Sequence, residues 1–321
     1  MKDAQLAKSQ SPTSTGNAVA TGLWPDMRQP TSLGINIPNS ERALFNGTPH
    51  YSDMLAMSKS AAASGFDVLW FDDHFSFTSD TDLRGAWDAW TLMAAIATQV
   101  PDIYLGPMVA CTAYRNPGVI AKMTEMIQDI SGGRFILGLG AGWHKPEYDQ
   151  FGIRFEPRVS QFEEALMIIH EMIRDGEVDF QGEYYQANKA VNLPRSAHGA
   201  ETPILVGSSA DRMLKSLVRY ADAWNTGGGT AEELRSKIAK VDTACEEAGR
   251  DPKTVVRTSG HTVACDPAGL GAPTDGVDAA LETLRMHREL GFQHVMVRAE
   301  PSTPENIASL APVVEAFYLS Q

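Results

Sequence analysis

The sequence predicts an α/β fold: a (β/α)8 TIM barrel with a small excursion between the fourth and fifth units. Three observations predict it. Short apolar runs alternate with stretches of helical spacing, the pattern of a parallel sheet covered on both faces. The alternation repeats eight times between residues 31 and 321, a length that suits such a barrel. No linker-like stretch interrupts this span, so it reads as one domain. A doubly wound sheet shows the same alternation, and periodicity alone does not separate the two.

Thr31 to Ile37 is the first expected strand, stopped by Pro38. Tyr51 to Ser64 has helical spacing and stops at Gly65. Asp67 to Phe71 is the second strand and Trp87 to Gln99 the next helix. Ile103 to Leu105 starts the third strand, continued through Ala110. Pro117 to Ile130 is a helix with proline near its first turn. Arg134 to Leu139 is the fourth strand, and Pro157 to Arg174 an amphipathic helix. Val178 to Leu193 is the excursion, a hairpin around Gly182. Pro203 to Val206, Ala221 to Trp224, Thr254 to Cys265 and His294 to Val297 are the remaining strands. Their helices are Ala210 to Tyr220, Glu232 to Ala248, Val277 to Leu290 and Pro304 to Tyr318.

Composition narrows the function. A formal net charge of −13 disfavours nucleic acid and anionic membranes as partners. Cys111, Cys245 and Cys265 form no Cys-x-x-Cys pair, which argues against a disulfide scaffold or a zinc site and fits a reducing cytoplasm. No apolar run is long enough to span a membrane. Residues 1–30, rich in Ser, Thr, Ala and Gln, read as a disordered tail.

In a barrel of this kind the site lies at the carboxyl ends of the strands. Those ends are Asn36, Asp73-His74, Met108-Val109-Ala110, Gly140-Ala141-Gly142-Trp143, Gly207-Ser208-Ser209, Asn225-Thr226-Gly227 and His261. The run Gly138-x-Gly140-x-Gly142 is not the dinucleotide fingerprint. It suits either a ligand rim or a tight connection that needs glycine for packing, and the local sequence leaves both open. Gly207-Ser208-Ser209 precedes a helix and would either cradle a phosphate, with Arg212 adding charge, or cap the helix. His74 is the acid–base candidate, since imidazole titrates near neutrality; His144 and His261 are weaker ones. No His spacing suits a catalytic metal, so none is expected.

The motifs Phe71-Asp72-Asp73-His74-Phe75, Tyr114-Arg115-Asn116-Pro117, Ser131-Gly132-Gly133-Arg134-Phe135 through Gly142-Trp143, Leu205-Val206-Gly207-Ser208-Ser209 and Tyr220-Ala221-Asp222-Ala223-Trp224-Asn225 occur in this order. Together they resemble the bacterial luciferase-like flavin and deazaflavin oxidoreductases, from Ser32 to the C-terminus. The resemblance implies a TIM barrel and a cofactor at the strand ends, F420 or FMN. The deazaflavin-dependent branch is the more similar. His74 would then face the reactive ring as the catalytic residue, and Pro107-Met108-Val109 would form a bulge behind it, often with a non-prolyl cis peptide. Asp73, Met108, Val109, Gly140, Ala141, Gly142, Gly207, Ser208 and Ser209 would bind the cofactor, the last three its phosphate. Asn36, Trp143 and His144 would shape the substrate pocket. Trp143 stands where the sugar-phosphate dehydrogenases of that branch carry an acidic glutamate, which suggests a bulkier, less polar small-molecule substrate. The expected activity is F420-dependent hydride transfer. An FMN-dependent monooxygenase and a non-catalytic flavin-binding barrel are the alternatives, and the resemblance implies a homodimer.

Overall fold

The computed structural model describes residues 24–320 apart from 26, 42–46, 80 and 267–272. Its central sheet is parallel throughout and nearly closed. The first strand is Ser32–Asn36 and the second Val68–Phe71. The third is split into Tyr104–Pro107 and Ala110–Cys111. The fourth to eighth are Leu137–Gly140, Ile204–Gly207, Ala223–Thr226, Val256–Ala264 and His294–Glu300. Tyr104–Pro107 pairs with the second strand, Ala110–Cys111 with the fourth, and a bridge from Leu105 to Phe135 closes the ring between them. Nine sheet segments therefore make eight staves, and the TIM-barrel expectation stands.

Alternation along each strand divides its side chains between two cores. Val68, Trp70, Ile136, Leu205, Ala223 and Val256 pack inside the barrel. Leu69, Phe71, Phe135, Leu137, Leu139, Ile204 and Val206 pack outward with helix residues such as Met57, Ile120 and Phe162. The amino end of the barrel is plugged. Trp24 (7% exposed) and Met27 join the inner cluster, and Trp24 meets the His294 ring edge-on at 5.9 Å. The packed body thus begins before residue 31, because an indole at position 24 has a ready-made apolar hole to fill. The rest of the expected tail, residues 1–23 and 26, lies outside the described residues.

The excursion is as expected, an antiparallel hairpin of Glu177–Gln181 and Gln186–Val191. Other features differ from expectation. The last helix is two, Pro304–Ser309 and Ala311–Leu319, broken at Leu310. Pro312 has no N–H to offer the carbonyl four residues back, which disfavours one continuous helix there. A second hairpin, Ser76–Thr78 with Leu83–Gly85, follows the second strand where the sequence reads as loop. This hairpin overhangs the mouth of the barrel.

Candidate active site at the carboxyl ends of the strands

A cleft of about 350 Å³ opens at the carboxyl ends of the second to fifth strands. Asp73 and His74 line one side, Met108, Val109 and Cys111 the floor, and Gly140 to Trp143 the next wall. Gly207 and Ser208 line the far side, with Ala210 and Met213 at the start of the Asp211–Tyr220 helix. Arg158 and Val159, which open the Arg158–Arg174 helix, complete it.

The floor is built from the break in the third strand. The Met108–Val109 peptide is cis. The Val109 side chain lies in a seat of three glycines: an added Cβ would stand 3.1 Å from it at Gly138, 2.7 Å at Gly140 and 3.1 Å at Gly207. A Cβ at Gly138 would also fall on the Pro107 carbonyl. Close packing against Val109 is therefore what Gly138 and Gly140 serve, and it leaves a smooth apolar floor. Gly142 is different. Its φ is +75°, and a Cβ there would strike the Tyr148 hydroxyl and stand 2.7 Å from the Cys111 sulfur.

His74 is the titratable ring on the cleft wall, with 18% of its side chain exposed. Its Nδ1 lies 2.9 Å from Oε2 of Glu147, a fully buried carboxylate. Glu147 sits in the short Lys145–Gln150 helix, opened by Pro146 at its second position. Tyr114 donates to the same oxygen at 2.5 Å, while the N–H groups of Phe75 and Ser76 donate to the other. Burial would raise the Glu147 carboxyl, but the hydrogen bonds from His74, Tyr114 and Phe75 outweigh it and hold it below the usual carboxylate range. Phe77 lies 4.4 Å from the imidazole and Trp143 meets it edge-on at 5.6 Å.

Asp73 lines the cleft, yet its carboxylate is held from behind by Arg115 Nη1 at 2.9 and 3.1 Å and by the Cys111 N–H. Tyr148 donates to the Ala141 carbonyl at 2.8 Å, so the Cys111 thiol, 2.9 Å from that hydroxyl, is the donor to it. Burial pushes that thiol up to about 11, which leaves it protonated and a poor nucleophile at neutral pH.

Of the residues expected at the site, His74, Asp73, Met108, Val109, Gly140, Ala141, Gly142, Trp143, Gly207 and Ser208 line this one cleft. Five other candidates do not line this cleft. Asn36 is buried at the end of the first strand with its amide toward Asp72, 3.3 Å away. His144 accepts from the Thr78 N–H and so serves the hairpin. Ser209 bonds the Thr226 hydroxyl at 3.3 Å. His261 turns outward, its ring 6.3 Å from His287. Arg212 is drawn away by Glu163 and Ser160, and the cation at the cleft is Arg158 instead. Neither Ser208 nor Ser209 is the N-cap of the helix, which is Ala210; the Ser208 hydroxyl accepts from the Ala210 N–H at 3.1 Å. Glu147, Tyr114, Cys111, Arg158 and Met213 were not anticipated. Glu147 has a local signal, since Pro146 marks a helix start just past the glycine run, and Tyr114 stands in the Tyr114-Arg115-Asn116-Pro117 motif.

The sequence model of the luciferase-like monooxygenase family matches residues 31–268. The chain belongs to the luciferase-like monooxygenase family. It is 30% identical over 240 residues to the pyrimidine monooxygenase RutA of Enterobacter cloacae, an alignment that covers 68% of this chain and 64% of that protein. Among solved structures, an F420-dependent secondary alcohol dehydrogenase superposes with a TM-score of 0.75 at 19% identity, over 89% of this chain and 99% of that one. The EDTA monooxygenase of Chelativorans sp. BNC1 also gives 0.75, at 13% identity over 90% and 93%. At such identities the superpositions establish the barrel fold. The luciferase-like family is one of oxidoreductases and monooxygenases.

Proposed function

We propose that the chain is an F420-dependent oxidoreductase that passes a hydride between the deazaflavin and an electrophilic carbon of a small organic substrate. The observation that carries this reading is His74: one ring nitrogen is committed to a buried carboxylate, and the ring itself lines the cleft. That leaves Nε2 to exchange the proton that accompanies a hydride.

The residues present fit a flavin-type ring and its phosphate. The glycine-seated Val109 and Met108 make an apolar floor suited to the face of a tricyclic ring. At the other end Ser208, Arg158 and the first turn of the Asp211–Tyr220 helix would hold a phosphate. When bound, the cofactor supplies the hydride chemistry. Around it, His74 holds or delivers a proton at Nε2, and Met108, Val109 and Met213 exclude water. Trp143, 66% exposed at the rim, presents an aromatic face to the substrate.

A second reading, an FMN-dependent monooxygenase, is favoured by the 30% identity to RutA, whose name is that of a pyrimidine monooxygenase. One experiment separates them. Protein loaded with reduced F420 is mixed anaerobically with activated C=C, C=N and C=O compounds, and cofactor oxidation is followed. Oxidation that depends on the compound and not on oxygen supports hydride transfer. Turnover only with reduced FMN and only with oxygen uptake transfers the assignment to the monooxygenase.

A further inference from the structure

We propose that Glu147 is the positioning residue of this site: its buried carboxylate fixes His74 in the Nδ1–H form and leaves Nε2 toward the cleft. The inference deepens the hydride-transfer reading and rests on it for its catalytic meaning.

The hydrogen-bond inventory around Glu147 carries it. An ionised carboxylate only accepts. Oε1 accepts from two backbone N–H groups, Phe75 and Ser76. Oε2 has two neighbours, Tyr114 Oη at 2.5 Å and His74 Nδ1 at 2.9 Å, and both must therefore donate. A neutral His74 then has its lone pair at Nε2. When Nε2 takes a proton, the positive charge forms 2.9 Å from a carboxylate that already has its other donors in place.

The other groups around the ring do not compete for that proton. Phe77 of the hairpin and Trp143 at the end of the glycine run offer only aromatic contact. His144 is engaged by the Thr78 N–H, and the Asp73 carboxylate by Arg115 and the Cys111 N–H. Tyr114, its phenol raised by burial and by the Glu147 bond, stays a donor. Glu147 also ties the Lys145–Gln150 helix to the turn after the second strand, 72 residues earlier in the chain. The imidazole and the Trp143 wall are thereby held in one unit.

The direct test is ¹⁵N imidazole NMR on the full, cofactor-free chain at about pH 8.5, roughly two units above the ordinary imidazole value. The expected spectrum shows His74 as the Nδ1–H tautomer, and it stays so in Tyr114→Phe, which removes a donor but not the carboxylate. In Glu147→Gln the single tautomer is lost and kcat falls at least about tenfold, with substrate KM and cofactor Kd unchanged. An Nε2–H tautomer in the unaltered protein overturns the proposal, as does a Glu147→Gln protein that keeps both tautomer and kcat. If Glu147→Gln does not fold, the wild-type and Tyr114→Phe spectra still decide. An Nδ1–H spectrum in a protein that turns over neither cofactor leaves the positioning geometry intact and removes the hydride-transfer reading.

Discussion

Two histidines stand at opposite ends of one barrel, and they differ in what their second nitrogen is left to do. His294, at the amino end, is fully buried. Trp70 Nε1 donates to its Nε2 at 2.9 Å, so its Nδ1 carries the hydrogen toward Ser32 Oγ at 2.8 Å. Both nitrogens are spent on neutral partners, and burial lowers its pKa to about 3. His74, at the carboxyl end, spends one nitrogen on a charged carboxylate and lies on an open wall. The same side chain is a packing element at one end and, under the proposed function, a proton carrier at the other. Burial and the satisfaction of both nitrogens by neutral partners set His294 apart from His74.

The sharpest way to break this comparison is His74→Ala. In the loaded enzyme we expect turnover to fall about 10²–10⁴-fold while cofactor binding persists, read by steady-state kinetics beside a binding titration. Unchanged turnover would leave the two histidines equivalent. Gly140→Ala comes next. It places a methyl against Val109 in the floor and should cost about 1–3 kcal/mol in urea unfolding, partly recovered in the Gly140→Ala/Val109→Ala pair. Additive losses in the pair would sink the glycine-seat account.

The amino-end histidine makes a pH prediction. The unfolded chain binds a proton at about 6.5 that folded His294 refuses until about 3. Stability therefore rises with pH across that window and is lost as pH falls through it. His294→Asn should be less stable at neutral pH, yet its stability should fall less steeply on acidification, by about 1.4 kcal/mol per pH unit. Parallel slopes for the two proteins would contradict a neutral buried imidazole. The smallest effect belongs to Trp143→Ala. At 66% exposure it should leave stability within about 0.5 kcal/mol but raise substrate KM about two- to tenfold.

Much of the barrel was legible in the sequence because each stave and its helix carry local signals: apolar runs, helical spacing, and glycines such as Gly249 and Gly291 just past helix ends. The break at Leu310 also has a signal in the sequence, Pro312. The hairpin over the mouth was not, since Ser76–Thr78 is only three residues long and Leu83 is exposed. The site divided in the same way. Strand ends can be found by counting, and that brought His74, Met108, Val109 and the glycines together. Glu147, Tyr114 and Arg158 come from segments between strands. Their positions follow from contacts distant in sequence, such as the 73-residue span from His74 to Glu147. Arg212 and His261 had the right chemistry, but neighbouring carboxylates and strand alternation turned them outward.

The central claim is that the cleft at the carboxyl ends takes a deazaflavin beside His74. Equilibrium titration of the purified chain with reduced F420 and with FMN, followed by fluorescence, tests it most directly. Tight F420 binding with weak FMN binding is the predicted result. Tight FMN binding with none for F420 would contradict it.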